Sequence, residues 1–351
     1  MSTPEIPYEL ARYARQMRYA PLGGETGQRR MLASRALIVG CGALGTVIAS
    51  TLARSGVGRL RIVDRDFVEL TNLQRQVLFD EADAAAGVPK AIAAAEKLRQ
   101  INSQIAIEPV VADVTPTNIE ALCDGVDVIV DGTDNFETRF LLNDIAIARD
   151  LPWIYGGCLG SEGQTMTILP SETPCLRCVI PEPPPPGTAP TCETAGVLAP
   201  IVLVVAAIQC QEAIKIVSGH REAIQRSLLI VDLWTSDVRA VRLDGLRESS
   251  DCPACKHGTL AWLRGNRATA PAVLCGRNAV QISPASNQAK LSFDDLERRL
   301  TGVARMTRNA FLLRAAIENY VVTVFPDGRA IISGTDDVSV AKGVYARYIG
   351  S

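Results

Sequence analysis

Three glycines and an acidic residue occur in a pattern typical of nucleotide-binding proteins. The sequence Gly40-Cys-Gly42-Ala43-Leu-Gly45 follows an apolar stretch and opens a helical pattern. Glycine lets the backbone turn sharply towards a phosphate, and a helix N-terminus supplies unpaired N–H groups and a positive dipole end. Asp64 lies 19 residues after Gly45, where a carboxylate can accept hydrogen bonds from both ribose hydroxyls. These residues predict an adenosine-containing ligand, although a glycine turn that only packs a helix on a strand would look similar.

Polar and basic residues in the next segment favour a ligand with three phosphates. Asp66, Asn72, Arg75 and Lys90 all follow Asp64, and we assign them to the same nucleotide site. Arg75 and Lys90 together could neutralise a triphosphate, whereas a nicotinamide cofactor brings a pyrophosphate that the helix N-terminus largely serves. The sequence therefore favours ATP over NAD. The competing interpretation is that Arg75 and Lys90 form solvated ion pairs with nearby acids.

A second acidic motif, Asp131-Gly-Thr-Asp134-Asn135, ends a later predicted strand. Ligands bind at the carboxyl edge of such sheets, so Asp134 is placed to hold Mg²⁺ against phosphate oxygens, with Asn135 beside it in the nucleotide site. Alternatively, Asp134 caps the following helix, because Glu137 lies three residues further on, as in a capping box. Both roles can coexist.

Two Cys-x-x-Cys pairs predict a metal site, and they consist of Cys175 with Cys178 and Cys252 with Cys255. This spacing lets both thiolates of a pair reach one tetrahedral ion, and two pairs would make a closed four-sulfur zinc site. We interpret such a metal as structural, because four sulfur ligands leave no position for water. Since 73 residues separate the pairs, spacing alone is weak evidence that they share one ion. A redox dithiol is the alternative for either pair.

A further cysteine, Cys192, follows the proline-rich segment 181–190, which predicts an extended surface connection. An apolar helical pattern begins a few residues later, and a helix N-terminus would lower the pKa of a nearby thiol and favour a nucleophilic thiolate. The alternative is an inert cysteine on a loop. The remaining cysteines are typical of small core residues, at positions 41, 123, 158, 210 and 275.

These side chains require a sheet that brings strand ends to one edge. Apolar stretches predict four strands, and the segments between them have helical spacing; the strands are 36–39, 60–63, 105–111 and 126–130, and the helices are 44–55, 90–100 and 137–149. This alternation predicts an α/β, Rossmann-like, doubly wound and mainly parallel sheet with helices on both faces. We expect antiparallel strands at its end, because little helix separates the later strands 164–169, 227–234 and 238–243.

A polar join around 262–271 predicts a domain boundary, with a nucleotide-binding domain at 1–264 and a small α+β domain at 265–351. The second domain is expected to contain two helices and four strands. They are a strand near 279–282, a helix at 293–300, three strands up to Ser333 with a turn at 326–328, and a final helix from Asp337.

The composition of the 351 residues excludes several classes of protein. Hydrophobic residues make up 47% and charged residues 21%, which argues against global disorder, a collagen-like chain or a coiled coil. The formal net charge of −2 gives no reason to expect nucleic acid or an anionic membrane as a partner. The N-terminus shows no secretory pattern, so we expect a cytoplasmic protein. The apolar stretch 198–208 predicts a buried helix rather than a membrane span.

The motifs above occur in order along the chain, together with Arg12-Tyr-Ala-Arg15-Gln16, Glu162-Gly-Gln164 and Cys192-Glu-Thr-Ala-Gly196-Val-Leu. From about Arg12 to about Cys255, the sequence resembles the MoeB/ThiF/HesA adenylyltransferases, which are relatives of ubiquitin-activating enzymes. One departure is Ala43, where many bacterial relatives have glycine.

This resemblance implies that ATP activates the C-terminal glycine carboxylate of a ubiquitin-like sulfur-carrier protein, ThiS-like or MoaD-like and ending in Gly-Gly. The products would be an acyl-adenylate and pyrophosphate. By resemblance, Asp64 would bind ribose, Arg75 and Lys90 the phosphates, and Asp134 the Mg²⁺. Arg15 would reach across a homodimer interface to the partner's γ-phosphate.

The resemblance also bears on the cysteines and on further partners. It favours one zinc ion shared by both Cys-x-x-Cys pairs. The cysteine that matches Cys192 forms covalent intermediates in some members and is dispensable in others. A separate sulfurtransferase or cysteine desulfurase would be a further partner. Thiamin, molybdopterin, thiolated tRNA and cysteine synthesis all use related activating steps, and the contacts that distinguish them belong to the carrier's surface.

Two other functions compete with this interpretation. One is an NAD-dependent oxidoreductase on the same sheet, and the other is a carrier-binding scaffold that has lost its chemistry. Against the scaffold, Arg15, Arg75, Lys90 and Asp134 are all present. A histidine-based triad is disfavoured, because the chain has two histidines in all.

Overall fold

The computed structural model describes residues 7–185, 188, 190–191, 194–265, 273–274, 278–282, 291–326 and 328–350. The chain forms two compact units, Met1–Arg267 and Ala268–Ser351. Each unit is built on its own β-sheet.

The first unit contains an eight-stranded sheet with the strand order β3-β2-β1-β4-β5-β6-β7-β8. Strands β1 to β5 pair in parallel, and β5 to β8 pair in antiparallel fashion. The strands are β1 Arg35–Val39, β2 Arg59–Val63, β3 Ala106–Val110, β4 Val128–Asp131, β5 Trp153–Leu159, β6 Glu162–Ile168, β7 Ser227–Asp232 and β8 Asp237–Arg242. The predicted fold class, including the antiparallel end, is confirmed. Strand β5 was missing from the prediction.

Helices cover both faces of this sheet. The α-helices are α1 Ala14–Met17, α2 Gly24–Ala33, α3 Ala43–Ser55, α4 Glu81–Ala86, α5 Lys90–Ile101, α6 Ile119–Leu122, α7 Phe136–Arg149, α8 Leu176–Val179, α9 Ala199–Ser218 and α10 Leu246–Ser249. Short 3₁₀ turns lie at Tyr8–Tyr13, Ala20–Leu22, Leu70–Asn72 and Arg221–Ala223.

Alternate strand residues face opposite cores, as the two-residue period of a strand requires. Ile38 and Val130 lie in the core with α3, α5 and α9, whereas Leu37 and Ile129 lie in the core with α7. The parallel strands are therefore buried on both faces, and their carboxyl ends form one edge of the sheet.

Helix α9 is the apolar helix that the sequence predicted. By length and composition it is the one helix among the described residues that could cross a membrane. It packs against α3, β5 and β6, and its Ile201, Val205 and Cys210 are buried in the core. Its apolar character is explained by this packing, so the prediction of a buried helix is confirmed.

The second unit has a six-stranded antiparallel sheet with the order β11-β12-β13-β14-β10-β9. Its elements are β9 Val273–Leu274, β10 Ala279–Ile282, α11 Phe293–Leu300, β11 Arg305–Arg308, β12 Leu313–Ile317, β13 Tyr320–Val324, β14 Ala330–Ser333 and α12 Val338–Tyr348. Apolar side chains of both helices pack with the strands in one core. The prediction of three strands before Ser333 is wrong, because four are present. The sequence Arg-Met-Thr-Arg of β11 is mostly exposed and lacks an apolar alternation.

We predict opposite effects of the same substitution at two helical glycines. A Cβ on Gly45 would lie 1.9 Å from the carbonyl oxygen of Gly40, so Gly45→Ala should lower the free energy of unfolding by about 2–3 kcal/mol. At Gly343 in α12 a Cβ would meet no atom within 4 Å, so Gly343→Ala should raise it by about 0.5 kcal/mol. Scanning calorimetry of both variants measures this difference. Equal stability of Gly45→Ala and wild type would contradict the close backbone approach.

Candidate active site

The turn after β1 and the loop after β4 are in direct backbone contact. Gly40 has a positive φ of 87°, and a Cβ there would lie 2.6 Å from the carbonyl oxygen of Gly132. Conversely, a Cβ on Gly132 would lie 2.5 Å from the oxygen of Gly40. We call residues 40–45 the glycine turn and residues 131–135 the acidic loop. Glycine at both contact positions lets these two segments share the carboxyl edge of the sheet.

The start of α3 has the properties of an anion site. Its N-cap is Gly42, which has no side chain to accept a hydrogen bond from the first turn of the helix. Ala43 is the first helical residue. Compared with glycine it carries a methyl group, but it has the same backbone N–H donor. Unsatisfied N–H groups and the helix dipole at this position favour a phosphate.

Asp64 is held against the glycine turn by two backbone hydrogen bonds. Its Oδ2 accepts the N–H of Cys41 at 2.6 Å, and its Oδ1 accepts the N–H of Asp66 at 2.7 Å. Burial raises the pKa of the Asp64 carboxyl, and the positive charge of Lys90 opposes this rise. The carboxylate is therefore fixed beside the turn, where the sequence places the ribose.

Lys90 begins α5 and is nearly buried, with 5% of its side chain exposed. Its Nζ lies 3.2 Å from Oδ2 of Asp66, and its backbone N–H donates to the carbonyl of Asp66 at 2.9 Å. The alternative interpretation for Lys90 was a solvated ion pair. The ion pair with Asp66 is present, but Lys90 is shielded from solvent. The structure brings Asp64, Asp66 and Lys90 together beside the glycine turn.

Asn72 and Arg75 lie in the turn that follows β2. Asn72 is buried, and its Oδ1 accepts the N–H of Glu69 at 3.1 Å. Arg75 donates from Nη1 to the carbonyl of Thr71 at 3.1 Å, one turn earlier in the chain. In the part of the chain that the structure describes, Arg75 forms no ion pair with an acid, so the ion-pair alternative is not found for it.

The acidic loop leads into α7, and Asn135 is the residue that caps this helix. Its Oδ1 accepts the N–H of Thr138 at 2.9 Å. The alternative that Asp134 caps the helix is therefore wrong. Asp134 is exposed, and its side chain forms no hydrogen bond within the described residues. It follows β4 on the same sheet edge as the glycine turn.

Arg15 lies on α1, which other residues attach to the domain. The hydroxyl of buried Tyr13 accepts a hydrogen bond from Asn102 at 2.8 Å, and Gln16 donates to the carbonyl of Ser55 at 2.7 Å. Arg15 itself is exposed, and it forms no hydrogen bond or ion pair with the other predicted site residues among those described.

A buried ion pair that no sequence motif indicated lies beneath the acidic loop. Asp131 is fully buried, and its Oδ2 lies 3.4 Å from Nε of Arg139. Burial raises the pKa of the Asp131 carboxyl, and the charge of Arg139 opposes this rise. The available signal was an arginine in the first turns of α7, directly after an acidic motif.

The two Cys-x-x-Cys pairs meet in space. We call Cys175, Cys178, Cys252 and Cys255 the cysteine cluster; their sulfur atoms all lie within 4.8 Å of one another. The sulfur–sulfur distance is 3.8 Å from Cys175 to Cys178, 3.6 Å from Cys175 to Cys252 and 3.5 Å from Cys178 to Cys255. Four sulfurs about 2.3 Å from a tetrahedral zinc ion would be about 3.8 Å apart, so the cluster fits this ion.

Hydrogen bonds among the four thiols lower the pKa of Cys178 to about 6, with Cys175 contributing most. The same network lowers the pKa of Cys252, whereas the pKa values of Cys175 and Cys255 are raised. Thiolates are the form that binds metal. Cys192 lies outside the described residues.

Taken together, the fold and these side chains define a Rossmann-like nucleotide-binding class that also carries a four-cysteine cluster. A sequence profile of the ThiF family matches residues 13–254. The chain belongs to the ThiF family, and the resemblance inferred from the motifs is confirmed.

The curated relatives include adenylyltransferases. The chain is 42% identical to the sulfur carrier protein ThiS adenylyltransferase of Bacillus subtilis over 341 residues, which are 97% of this chain and 99% of that protein. It is 42% identical over 250 residues to the SAMP-activating enzyme E1 of Haloferax volcanii, covering 71% of this chain and 90% of that one. The 341-residue alignment is longer than Met1–Arg267, so it extends through most of the second unit.

Solved structures support the fold independently. A crystal structure of E. coli MccB with ATP matches with a TM-score of 0.59 and 22% identity, over 72% of this chain and 76% of that chain. At this identity the match demonstrates the shared fold alone.

We predict one zinc ion per chain, held by the cysteine cluster. Cys252→Ser should remove most of the zinc and lower the melting temperature, because metal bound to the folded state alone stabilises that state. Elemental analysis of purified protein and thermal melting measure both effects. Cys158→Ser is the matched control, since Cys158 is a half-buried cysteine outside the cluster and its substitution should leave the zinc content unchanged. Full zinc occupancy in Cys252→Ser would contradict the assignment.

Proposed function

We propose that this protein is an ATP-dependent adenylyltransferase for a ubiquitin-like sulfur-carrier protein, ThiS-like or MoaD-like, with a C-terminal Gly-Gly. The observation that carries this proposal is the near full-length similarity to a ThiS adenylyltransferase. The grouping of Asp64, Lys90 and the glycine turn at one edge of the sheet supports it. The direct test is ATP–pyrophosphate exchange with a carrier protein that ends in Gly-Gly.

The proposed reaction needs charge compensation more than acid–base chemistry. One oxygen of the carrier's terminal carboxylate attacks the α-phosphorus of ATP, the bond from that phosphorus to the bridging oxygen breaks, and pyrophosphate leaves with the electron pair. Two anions must approach each other, so cationic groups that are already in place lower the barrier. Lys90 and Arg75 supply positive charge, and Asp64 orients the ribose.

Asp134 is the residue proposed to hold Mg²⁺. Its exposed carboxylate is of the oxygen type that this ion prefers. When bound, Mg²⁺ neutralises charge on the phosphates. The placement of Asp134 beyond the end of β4, beside the glycine turn, supports this role.

Cys192 is proposed to attack the acyl carbon of the adenylate, so that a thioester forms and AMP leaves with the electron pair of the broken carbon–oxygen bond, or to receive the outer sulfur of a sulfurtransferase persulfide, whose cysteine leaves as a thiolate. The segment that contains Cys192 is attached to the first unit at both ends, and this supports a role near the proposed nucleotide site. Before it, Cys178 belongs to the cysteine cluster. After it, the carbonyl of Gly196 accepts the N–H of Gly160 at 2.8 Å, and Leu198 donates to the carbonyl of Gly160 at 2.9 Å. Gly160 directly follows β5.

A homodimer is part of the proposal. Exposed apolar side chains are concentrated on α9, β8 and the turns beside them: Leu198, Leu203, Leu233, Trp234 and Val238. Leu198, Leu233 and Trp234 line one open pocket, and exposed apolar surface of this kind is typical of association sites. A second copy of the chain would also bring a second Arg15 to the assembly.

The NAD-dependent alternative is not favoured, because the named relatives include adenylyltransferases. Equilibrium binding separates the two functions, since tight NAD binding without measurable ATP affinity would reverse the ranking. The scaffold alternative predicts that the protein binds the carrier but does not turn over nucleotide. The exchange assay detects nucleotide turnover, so the absence of exchange would support the scaffold.

We predict that Arg75→Ala lowers the rate of ATP–pyrophosphate exchange by about 100-fold or more, because it removes a charged donor to the phosphates. The melting temperature should remain within about 2 °C of wild type, since the hydrogen bond of Arg75 is local. Arg54→Ala is the matched control, because Arg54 likewise bonds four residues back, to Ser50, and lies outside the site. Full exchange activity in Arg75→Ala would refute its role.

Mixing two inactive variants tests whether Arg15 acts across the dimer. Arg15→Ala and Arg75→Ala should each be inactive alone. After exchange of subunits, a mixed dimer contains one complete site, so an equal mixture should recover about a quarter of wild-type exchange activity. Size-exclusion chromatography verifies the dimer. No recovery in a verified mixed dimer would show that Arg15 does not act in trans.

A further inference from the structure

Arg139 is a buried cation in the first turns of α7, directly beneath the acidic loop. Its side chain is 9% exposed, and that of its partner Asp131 is fully buried. Burial of a charge is costly unless the charge is paired and hydrogen-bonded. The contacts of the guanidinium therefore show which parts of the backbone it restrains.

The guanidinium of Arg139 joins the ends of two neighbouring strands. Its Nη2 donates to the carbonyl of Thr133, which follows β4, at 2.7 Å and to the carbonyl of Gly156 in β5 at 3.0 Å. The same group lies over the ring of Tyr155, 5.3 Å from its centroid. Arg139 thereby ties the acidic loop to β5.

Asp131 holds the same loop residue from the other side. Its Oδ1 accepts both the N–H of Thr133 at 2.8 Å and the hydroxyl of Thr133 at 2.7 Å. Thr133 is therefore fixed through its N–H, its hydroxyl and its carbonyl. One peptide bond separates it from Asp134, whose own side chain forms no hydrogen bond in the described part of the chain.

The opposite face of the sheet adds a matching restraint from α9. Nε2 of Gln209 donates to the carbonyl of Asp131 at 2.8 Å and to the carbonyl of Ile154 in β5 at 3.2 Å. Two buried polar side chains, Gln209 and Arg139, therefore bridge β4 and β5 from opposite faces. Arg139 is the one that contacts the carbonyl next to Asp134.

We propose that Arg139 is a positioning residue that sets the place of Asp134 at the edge of the sheet through Thr133. The inference rests on the proposed function, in which Asp134 holds the divalent cation. A lysine at position 139 keeps the charge, but its ammonium lacks the planar fork that bridges two carbonyls and Asp131 together. Arg139→Lys should therefore displace Asp134 while leaving Asp64 and Lys90 in place.

The test compares metal binding with metal-independent nucleotide binding. Mn²⁺ serves as the probe, followed by electron paramagnetic resonance in the presence of a non-hydrolysable ATP analogue. Arg139→Lys should weaken Mn²⁺ binding about tenfold, as is usual when a residue supporting a metal ligand is changed. Binding of the analogue without metal should change less than twofold. Equal losses in both measurements, or no loss of Mn²⁺ affinity, would overturn the proposal.

Two controls keep these outcomes interpretable. Arg149→Lys changes an arginine at the other end of α7 that pairs with Glu120 on the surface, and it should leave Mn²⁺ affinity unchanged. Asp134→Ala tests the proposed function separately. If it leaves Mn²⁺ affinity intact, the metal role of Asp134 fails. If it abolishes Mn²⁺ binding while folded Arg139→Lys behaves as wild type, only the positioning role fails.

A milder variant covers the case in which Arg139→Lys does not fold. Thr133→Val removes the hydroxyl bond to Asp131 and nearly preserves side-chain volume. It should shift Mn²⁺ affinity in the same direction by about threefold, the size expected for one hydrogen bond. Unchanged Mn²⁺ affinity in folded Thr133→Val, together with unfolded Arg139→Lys, would count against the proposal.

Discussion

The close approach of Gly40 and Gly132 is the constraint on which the rest of the site depends. Each glycine occupies a place where the other's carbonyl oxygen excludes a side chain. The contact brings the turn after β1 against the loop after β4, although 91 residues separate the two glycines. With these two segments in contact, the start of α3 and the carboxylate of Asp134 belong to one edge of the sheet. The parallel sheet then adds Asp64 from β2.

The buried charged side chains of this site are paired with charges of opposite sign. Lys90 is shielded from solvent and paired with Asp66, and Asp131 is shielded and paired with Arg139. Arg75, Asp134 and Arg15 instead have solvent-accessible side chains. The buried pairs therefore belong to the framework of the sheet edge, whereas the accessible groups face solvent.

Much of the fold could be predicted from sequence because its signals are local. The helix of residues 293–300 has the predicted bounds, and strands β1 and β2 begin one residue before the predicted positions. Strand β5 was missed because Gly156 and Gly157 interrupt its apolar pattern. The role of Arg139 depends on carbonyls of β4 and β5, which no local pattern reveals. The proximity of Cys178 and Cys255 likewise depends on the fold, because these cysteines are far apart in the sequence.

The two outer strands of the large sheet influence the behaviour of the protein at high concentration. An outer strand has unpaired backbone groups that invite another chain to add to the sheet, which is a route to aggregation. Strand β3 contains Pro109, which cannot donate a backbone hydrogen bond. Strand β8 carries Asp237, Arg239 and Arg242, so a strand approaching it must displace water from charged groups. Both borders of the sheet are therefore protected against unintended extension.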